Sequence, residues 1–421
     1  MKRVANVLQM FSLTTFMFAF PSLAGPMQSQ ITCAVNIIVQ PGDTLSSLAT
    51  QYLGDLTAYG TIIEATNTQA VTDESYARIE NANQLSIGWK LCLPDQDSSQ
   101  SAIEIQSTKT KTLPIPSSMD LPSTQHPLSI ETARQRDYPG SAITIEEILR
   151  PKSNYQPYIT SYQSDGLKIY AFMTIPSGEP PATGWPIILF NHGYIPPEQY
   201  QTTAYYVDYV DRLARNGYIV FQPDYRGHGR SEGEPTGLYM TPDYVTDVLN
   251  ALASIKRYPN ADPERIGMWG HSMGGYITLR AMVTTQDIKA SVIWAGVVGS
   301  YEEMVNWWDV RRSLALIQPR LWREDIESAF GTWEENPIFW ETISATTYLD
   351  DLSGPIQLHH ATTDLVVPVT FSKNLNERLK MVENPAEYYT YDGDDHNLSI
   401  NFSPAMTRTI TFFDTYIKTT D

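Results

Sequence analysis

Between residues 185 and 296, short apolar runs alternate with segments of helical periodicity. WPIILFNHG, YIVFQPD, RIGMWG and ASVIWAG are typical of buried strands, and helical spacing separates them. Strands that alternate with helices pair in parallel, because a crossover helix returns the chain to the same end of the sheet. Two earlier strands meet at the Asp165-Gly166 turn. The sequence therefore predicts a mostly parallel α/β sheet flanked by helices, over residues 138–421.

One pentapeptide, Gly270-His271-Ser272-Met273-Gly274, stands where a predicted strand passes into a predicted helix. A Gly-x-Ser-x-Gly string alone is common in ordinary turns. Between a strand and a helix it predicts a nucleophile elbow, a tight turn that lifts the serine hydroxyl clear of the sheet. The free N–H groups of the helix N-terminus favour negative charge that develops beside it. Ser272 is thus the candidate nucleophile.

A serine needs a base, and the base needs an orienting acid. Asp364 follows one strand-like run, and His396 follows the next and precedes a C-terminal helix. The chain order Ser272, Asp364, His396 is the order expected for an α/β-hydrolase. His396 would accept the serine proton, and Asp364 would fix the imidazole tautomer. Asp394 and Asp395 remain alternatives for the acid. His359 and His360 remain alternatives for the base.

Two N–H donors are needed to stabilise the oxyanion that forms during acyl transfer. The backbone N–H of Met273, directly after Ser272, is the first candidate. Tyr194 follows the His192-Gly193 exit of a buried strand, and its backbone N–H is the second candidate. The phenol hydroxyl of Tyr194 is another candidate donor. Alternatively, the residues after this strand have only a structural role.

Four segments carry a resemblance to the α/β-hydrolase superfamily: PDYRGHGRSEGE, GHSMGGY, NPIFWETIS and HHATTDLVVPV. The chain most resembles the prolyl-oligopeptidase-type (peptidase S9-like) and dienelactone-hydrolase-like esterase branches. It departs from them in having no room for the β-propeller of prolyl oligopeptidases, and in carrying His192-Gly193-Tyr194 where many esterases have His-Gly-Gly.

A Trp-rich segment of helical spacing, from about residue 300 to 345, predicts a helical cap inserted over the site. Its indole rings either line an apolar substrate pocket or form the core of the cap. The candidates are Trp307, Trp308, Trp322 and Trp333.

The N-terminal residues 1–24 have the pattern of a signal peptide: Lys2 and Arg3, a short apolar run, and a small-residue cleavage site ending at Ala24. Cys33 and Cys92 are the only cysteines. An even number of cysteines in an exported chain predicts a disulfide, and two free buried thiols are the alternative. Residues 95–137 are rich in Ser, Thr, Gln and Pro and predict a linker.

Three blocks between residues 33 and 94, VQPGDTLSSLA, IIEATN and IGWKLCLP, are in the order of a strand, two helices and a strand. In this order they resemble the LysM domain, a small α+β fold. The resemblance implies binding to N-acetylglucosamine-containing glycans such as peptidoglycan or chitin. It places candidate sugar contacts at Gly42, Asp43, Thr44 and Asn67.

The formal net charge of −18 disfavours nucleic acid as a partner, because phosphate binding requires clustered Lys and Arg. No metal and no other cofactor is implied. We predict a secreted or cell-wall-associated serine hydrolase that cleaves a small ester or amide through an acyl-enzyme and is tethered to wall glycan, with no membrane anchor after signal cleavage. The alternatives are an S9-type peptidase acting on short peptides and a glycan-binding protein whose hydrolase domain is inactive.

Overall fold

The N-terminal unit is built on two antiparallel strands joined by a disulfide. The computed structural model describes residues 33–39, 45–53, 59–79, 85–86, 88–94, 126–236, 239–311, 326–384 and 386–418. Strands β1 (Cys33–Ile38) and β2 (Lys90–Pro94) pair in antiparallel register, with helices α1 (Leu45–Leu53) and α2 (Tyr59–Gln69) between them. The strand–helix–helix–strand order matches the sequence prediction. Cys33 and Cys92 form the predicted disulfide, with Cα atoms 5.2 Å apart.

The small unit has an apolar core of its own, which explains how so short a segment folds. Leu45 and Leu48 of α1 and Ile62 of α2 pack onto Leu91 and Leu93 of β2. Leu45 and Leu48 are one helical turn apart on α1, and Leu91 and Leu93 occupy alternate positions of β2. One face of each element is therefore apolar, and the three faces meet.

The large unit contains a nine-stranded sheet in its described residues, in the order β11-β10-β9-β8-β6-β7-β5-β4-β3. Strands β6 to β11 pair in parallel, and β5, β4 and β3 continue the sheet antiparallel. The strands are β3 (Thr144–Ile148), β4 (Tyr155–Ser164), β5 (Leu167–Pro176), β6 (Trp185–Asn191), β7 (Ile219–Pro223), β8 (Ala261–His271), β9 (Ala290–Trp294), β10 (Ile356–Ala361) and β11 (Glu387–Tyr391).

Helices cover both faces of this sheet and enclose two apolar cores. They are α3 (Ile130–Gln135), α4 (Val207–Arg215), α5 (Asp243–Ile255), α6 (Met273–Thr284), α7 (Tyr301–Arg311), α8 (Pro337–Ile343), α9 (Val369–Met381) and α10 (Phe402–Phe413), with a short π-helix at Asp414–Lys418 and 3₁₀ turns at Ala345–Thr347 and Leu349–Asp351. The predicted α/β fold is confirmed.

The strand order places a crevice at the end of β6. From β6 the chain moves to β7 on one side and then to β8 on the other side. In parallel sheets, the carboxyl ends of strands that diverge in this way enclose the ligand site. His192 follows β6, Ser272 follows β8, and Asp364 and His396 follow β10 and β11. The topology alone therefore brings the four candidate segments to one edge.

The boundary of the large unit lies further upstream than the sequence predicted. Residues 126–137, predicted as linker, include helix α3, in which Ile130 and Ala133 are buried against α6. The Arg134 side chain donates to the Val283 carbonyl oxygen, and Ser129 caps the helix. The six-residue helix was missed because its stability comes from these tertiary contacts rather than from its own periodicity. Residues 95–125 and the predicted signal segment lie outside the described residues.

The described parts of the predicted cap pack directly on the main core. Tyr301 and Met304 of α7 and Trp340 and Ile343 of α8 are buried there, and the Tyr301 hydroxyl hydrogen-bonds that of Tyr276 in α6. Residues 312–325 lie outside the described residues. In the ranges that the structure describes, no helix has the length and apolar character needed to cross a membrane.

A buried carboxyl stands at the end of β7, beside the crevice. Asp224 is fully buried and accepts hydrogen bonds from the Tyr200 and Thr202 hydroxyls. Burial raises the pKa of Asp224 to about 7, although the two hydroxyl donors lower it. Its backbone carbonyl faces Nε2 of His192, 3.4 Å away.

We expect the disulfide to be required for the stability of the small unit. A bridge that closes a loop with a sequence separation of 59 residues stabilises by about 4 kcal/mol in the chain-entropy model. Alkylation without reductant should add no mass to the purified protein, and the Cys33→Ser/Cys92→Ser variant should lose its first calorimetric transition. Two alkylated thiols in protein exported to an oxidising compartment would contradict this expectation.

Asp224 should make stability depend on pH. A carboxyl whose folded pKa of about 7 exceeds its unfolded value near 4 takes up a proton on folding between these limits, so its contribution weakens as pH rises from about 4 to 7. Asp224→Asn removes this dependence. The melting temperature of the variant, relative to wild type, should therefore rise between pH 5 and 7, corresponding to about 2 kcal/mol. A difference in melting temperature between variant and wild type that does not change from pH 5 to 7 would show that Asp224 does not titrate in this range.

Candidate active site

Ser272 occupies a strained backbone conformation between β8 and α6. Its φ of 54° and ψ of −119° lie outside the regions that non-glycine residues ordinarily adopt. The turn is held from both sides: the Ser272 N–H donates to Trp294 O at 3.1 Å, and the Ser272 carbonyl accepts from Gly275 and Val297 N–H groups. These bonds enforce the strained turn, as is common at functional sites.

Both glycines of the pentapeptide are required by close backbone packing. A Cβ on Gly270 would overlap the carbonyl oxygen of Gly274, and a Cβ on Gly274 would overlap that of Asn191 in β6. The strand and the helix therefore approach more closely than any side chain permits. Met273 begins α6 immediately after Ser272, so its N–H has no partner within the helix.

Asp364 and His396 are hydrogen-bonded to each other. His396 Nδ1 lies 2.7 Å from Asp364 Oδ2, and the carboxylate is fully buried whereas the imidazole is 13% exposed. The other carboxylate oxygen accepts the N–H groups of Val366 and Val367 at 2.7 and 3.0 Å. Because the carboxylate can only accept, Nδ1 carries the proton and Nε2 of His396 is left as the acceptor.

The environment of Asp364 keeps it ionised. Burial alone would raise its pKa, but the electrostatic interaction with His396 and the hydrogen bonds from His360 and His396 outweigh burial and hold the pKa well below its usual range. His360 Nε2 lies 3.2 Å from the same oxygen that receives His396.

The other candidates for acid and base are held in different hydrogen bonds. Asp394 accepts from the backbone of Asp395, Ile400 and Asn401, and Asp395 accepts from Asn397 and Ser399. Both carboxylates therefore order the turn that carries His396, whereas its ring bonds Asp364.

The two buried histidines of β10 are similarly engaged. His359 bonds Tyr391 and Gln357, and His360 bonds Ser372 and the Val367 carbonyl. Both rings are fully buried. Their position inside the sheet favours a supporting role over that of a base.

The strand exit after β6 approaches Ser272 directly. A Cβ on Gly193 would lie 2.7 Å from the Tyr206 hydroxyl oxygen and 3.2 Å from Ser272 Cβ, so a side chain there would require Tyr206 to shift. His192 Nδ1 lies 2.7 Å from the Gly193 carbonyl oxygen, and the Gly193 N–H donates to the Tyr206 hydroxyl at 2.9 Å. Both peptide groups of Gly193 are thus fixed. The sequence signalled His192 and Gly193, but it gave no signal for Tyr206.

The His192 ring is enclosed by aromatic side chains. It stacks on Tyr225 and Tyr200, with centroids 4.2 and 4.7 Å away. Burial and the nearby His228 lower the pKa of His192 to about 3. The imidazole is therefore neutral and has one N–H. Its nitrogens face two carbonyl oxygens, that of Gly193 at 2.7 Å from Nδ1 and that of Asp224 at 3.4 Å from Nε2, and the shorter distance favours the proton on Nδ1.

The predicted pocket and glycan residues are only partly within the described chain. Trp307 and Trp333 are half-buried and pack against the main core, and Trp307 makes an edge contact with Phe371. The side chain of Trp308, and Trp322, Gly42, Asp43 and Thr44, lie outside the described residues.

Asn67 is held in the N-terminal unit by two hydrogen bonds. Its side-chain amide donates to the Ile79 carbonyl and accepts from the Ile79 N–H, at 2.9 and 2.8 Å. Its role as a glycan contact stays a prediction. No group of three or more His, Cys, Asp or Glu side chains in the described ranges is placed to hold a metal ion.

Two family models match separate parts of the chain. The model described as "Serine aminopeptidase, S33" matches residues 186–330, and the LysM domain model matches residues 37–94. The first match contains the strand exit after β6 and the Ser272 elbow, and the second match covers the small unit from residue 37 onward, including Cys92 but not Cys33. Both resemblances inferred from the sequence are confirmed.

Relatives and solved structures extend this picture. An uncharacterized peptidase of Bacillus subtilis, YtmA, is 22% identical over 58% of this chain and 88% of its own length. A second uncharacterized peptidase of that organism, YuxL, is 26% identical over 56% of this chain but only 34% of its own length. Acylaminoacyl peptidase of Pyrococcus horikoshii superposes with a TM-score of 0.51 at 22% identity, over 64% of this chain and 43% of that chain.

The chain thus spans most of one of these relatives and less than half of the other two. At this level of identity the superposition shows the fold, while the family models cover the elbow and the small unit separately. The chain therefore joins a LysM domain to a serine hydrolase domain of the α/β-hydrolase fold.

Proposed function

We propose that Ser272, His396 and Asp364 form a catalytic triad that cleaves carbonyl substrates through an acyl-enzyme. The main support for this proposal is the 2.7 Å hydrogen bond between His396 Nδ1 and Asp364 Oδ2, because it leaves Nε2 of His396 as a proton acceptor. The strained elbow presents Ser272 at the same edge of the sheet.

The reaction proceeds in two balanced halves. Ser272 Oγ attacks the substrate carbonyl carbon while its proton passes to His396 Nε2, and the leaving alcohol or amine departs with that proton. Water then attacks the acyl-enzyme, gives a proton to the same nitrogen, and the proton returns to Ser272 as the acid is released. Asp364 stays ionised throughout and stabilises the imidazolium.

Two backbone N–H groups, those of Met273 and Tyr194, would stabilise the oxyanion. Met273 begins α6, where the helix dipole adds to its N–H. In a trans peptide the C=O and N–H point in opposite directions. Since His192 draws the Gly193 carbonyl toward itself, the Tyr194 N–H is turned away from His192. The close approach of Gly193 to Ser272 supports this second donor.

For the substrate we propose a small ester, with short peptides as the second candidate. The second candidate is favoured by the family description, serine aminopeptidase, and by the peptidase names of the relatives. The two are separated by kcat/KM for p-nitrophenyl esters against aminoacyl and prolyl anilides. Preference for the anilides would replace the ester proposal.

We further propose that the protein is exported and that its LysM domain tethers it to N-acetylglucosamine-containing wall glycan. The LysM match and the disulfide support an oxidising, extracytoplasmic location. A tether raises the concentration of enzyme at the wall without changing its intrinsic kinetics.

Ser272→Ala should lower kcat by roughly 10⁴ or more, because the nucleophile is removed while binding remains. A fluorophosphonate probe followed by peptide mass spectrometry should label the wild type at Ser272 and leave the variant unlabelled. Unchanged melting temperature is the control for folding. Comparable ester turnover by the folded variant would exclude Ser272 as the nucleophile.

Asp364→Asn should reduce kcat by orders of magnitude, because an amide cannot hold His396 in the required tautomer. The matched control is Asp395→Asn, which alters a carboxylate one residue from His396 that bonds Asn397 and Ser399 instead. Both rates are measured per active site titrated with fluorophosphonate. A large loss in the Asp395 variant with an active Asp364 variant would move the acid to Asp395.

The two domains should be separable in function, although they touch. A Cβ on Gly60 of α2 would meet the Gln199 side chain, and burial and Tyr205 raise the pKa of Tyr59. Since every proposed catalytic residue lies in the large domain, a chain starting at Leu121 should retain turnover of a soluble ester. It should no longer sediment with insoluble peptidoglycan or chitin.

Full-length Gln199→Ala is the control for the domain contact, because it alters the contact but keeps the LysM domain. It should sediment and turn over as wild type does. If the truncated chain folds but loses ester turnover, the LysM domain is part of the active site.

A further inference from the structure

Two side chains outside the proposed triad connect its parts. Tyr206 immediately precedes α4, and His271 is the variable residue of the Gly-x-Ser-x-Gly string. The Tyr206 hydroxyl lies 2.9 Å from the Gly193 nitrogen and 2.7 Å from His271 Nδ1. His271 Nε2 lies 3.0 Å from the backbone carbonyl oxygen of His396. An unbroken series of hydrogen bonds therefore runs from the Gly193 loop to the backbone of the base.

The direction of each bond follows from the chemistry of the end groups. A carbonyl can only accept, so His271 Nε2 must carry a proton to bond His396 O. Burial and the nearby His396 lower the pKa of His271 to about 3, so the ring has that proton alone. Nδ1 of His271 is then an acceptor, and the Tyr206 O–H donates to it. The lone pairs of Tyr206 receive the Gly193 N–H.

Every donor and acceptor in the series is thereby used, and only one arrangement of protons satisfies all of them. His271 is 2% exposed, so water does not compete for its nitrogens. Its ring also packs on that of His396, with centroids 4.5 Å apart. Tyr206 is held with a φ of 60°, a conformation that is uncommon for a tyrosine. These contacts fix the distance between the Gly193 loop and His396.

We propose that Tyr206 and His271 are positioning residues that set the oxyanion donors and the catalytic base relative to Ser272. The proposal rests on the triad proposed above. Neither side chain exchanges a proton with substrate. Tyr206 orients the Gly193 peptide next to the Tyr194 N–H, and His271 holds the backbone of His396. Their effect falls on the transition state, which requires both loops in register, and hardly on ground-state binding.

The first test is Tyr206→Phe, which removes one oxygen and keeps the ring. Per active site titrated with fluorophosphonate, kcat for a p-nitrophenyl ester should fall about 10-fold with KM nearly unchanged, less than the loss for a direct oxyanion donor. Affinity for a phenylboronic acid, which forms a tetrahedral adduct with the serine, should weaken by a similar factor. The matched control is Tyr218→Phe, whose hydroxyl bonds Asp414 away from the site; it should retain wild-type kcat and boronate affinity.

The second test is a double-mutant cycle with His271→Phe, which removes both ring nitrogens. If the two residues act through one series of hydrogen bonds, the double variant should have the kcat of the poorer single variant. If His271→Phe alone also lowers kcat about 10-fold, independent roles would lower kcat of the double variant about 100-fold and overturn the proposal. Wild-type kcat in either folded single variant, or a lower kcat with unchanged boronate affinity, would also overturn it. If one variant does not fold, the other decides by the same two measurements.

Failure of the triad proposal is distinguishable from failure of this one. Wild-type protein that is not labelled at Ser272 would refute the triad before any positioning variant is made. Wild-type protein that is labelled at Ser272, with Tyr206→Phe and His271→Phe unchanged in kcat, would refute the positioning role alone.

Discussion

The close approach of helix α6 to strand β6 is the constraint on which the site depends. It requires glycine at residue 274, since any side chain there would occupy the space of the Asn191 carbonyl oxygen. The same approach brings Gly193, after β6, so close to Ser272 that a Cβ on Gly193 would lie 3.2 Å from Ser272 Cβ. The elbow and the loop after β6 are thus one packed unit, which explains why glycine stands at positions 193, 270 and 274. Backbone strain at Ser272 persists because the hydrogen bonds to Trp294, Gly275 and Val297 over-determine the turn.

Of the carboxylates of Asp364, Asp394 and Asp395, only that of Asp364 bonds the ring of His396. Asp364 receives two backbone N–H groups on one oxygen and two histidines on the other, which satisfies a buried negative charge without a full cation. The neighbouring Asp394 and Asp395 instead accept hydrogen bonds from backbone N–H groups of the turn that carries His396. These three carboxylates therefore have separate tasks, and the distinction arises from which backbone N–H groups each one receives.

Sequence reasoning succeeded where the signal was local and failed where it was distant. The strands around Ser272 and the helix after it could be predicted, because apolar runs and helical spacing lie within a few residues of one another. Helix α3 could not, since its six residues are stabilised by α6, more than a hundred positions away. In the sequence, His271 is only the variable residue of the Gly-x-Ser-x-Gly string. Its partners are Tyr206 and the backbone of His396, and no pattern in a single sequence connects residues so far apart.

The PDYRGHGRSEGE segment can now be understood as support for the loop after β6. Arg226 bonds the buried Asp247 of α5 through its side chain and its backbone N–H. Burying that ion pair costs desolvation, and its hydrogen bonds to both carboxylate oxygens of Asp247 hold the loop against α5. The loop thus fixed presents Tyr225, whose ring stacks on His192 and whose hydroxyl donates to the His192 carbonyl. His192 in turn holds the Gly193 carbonyl. The ion pair between Arg226 and Asp247 of α5 therefore supports, through Tyr225 and His192, the orientation of the Gly193 carbonyl beside Ser272.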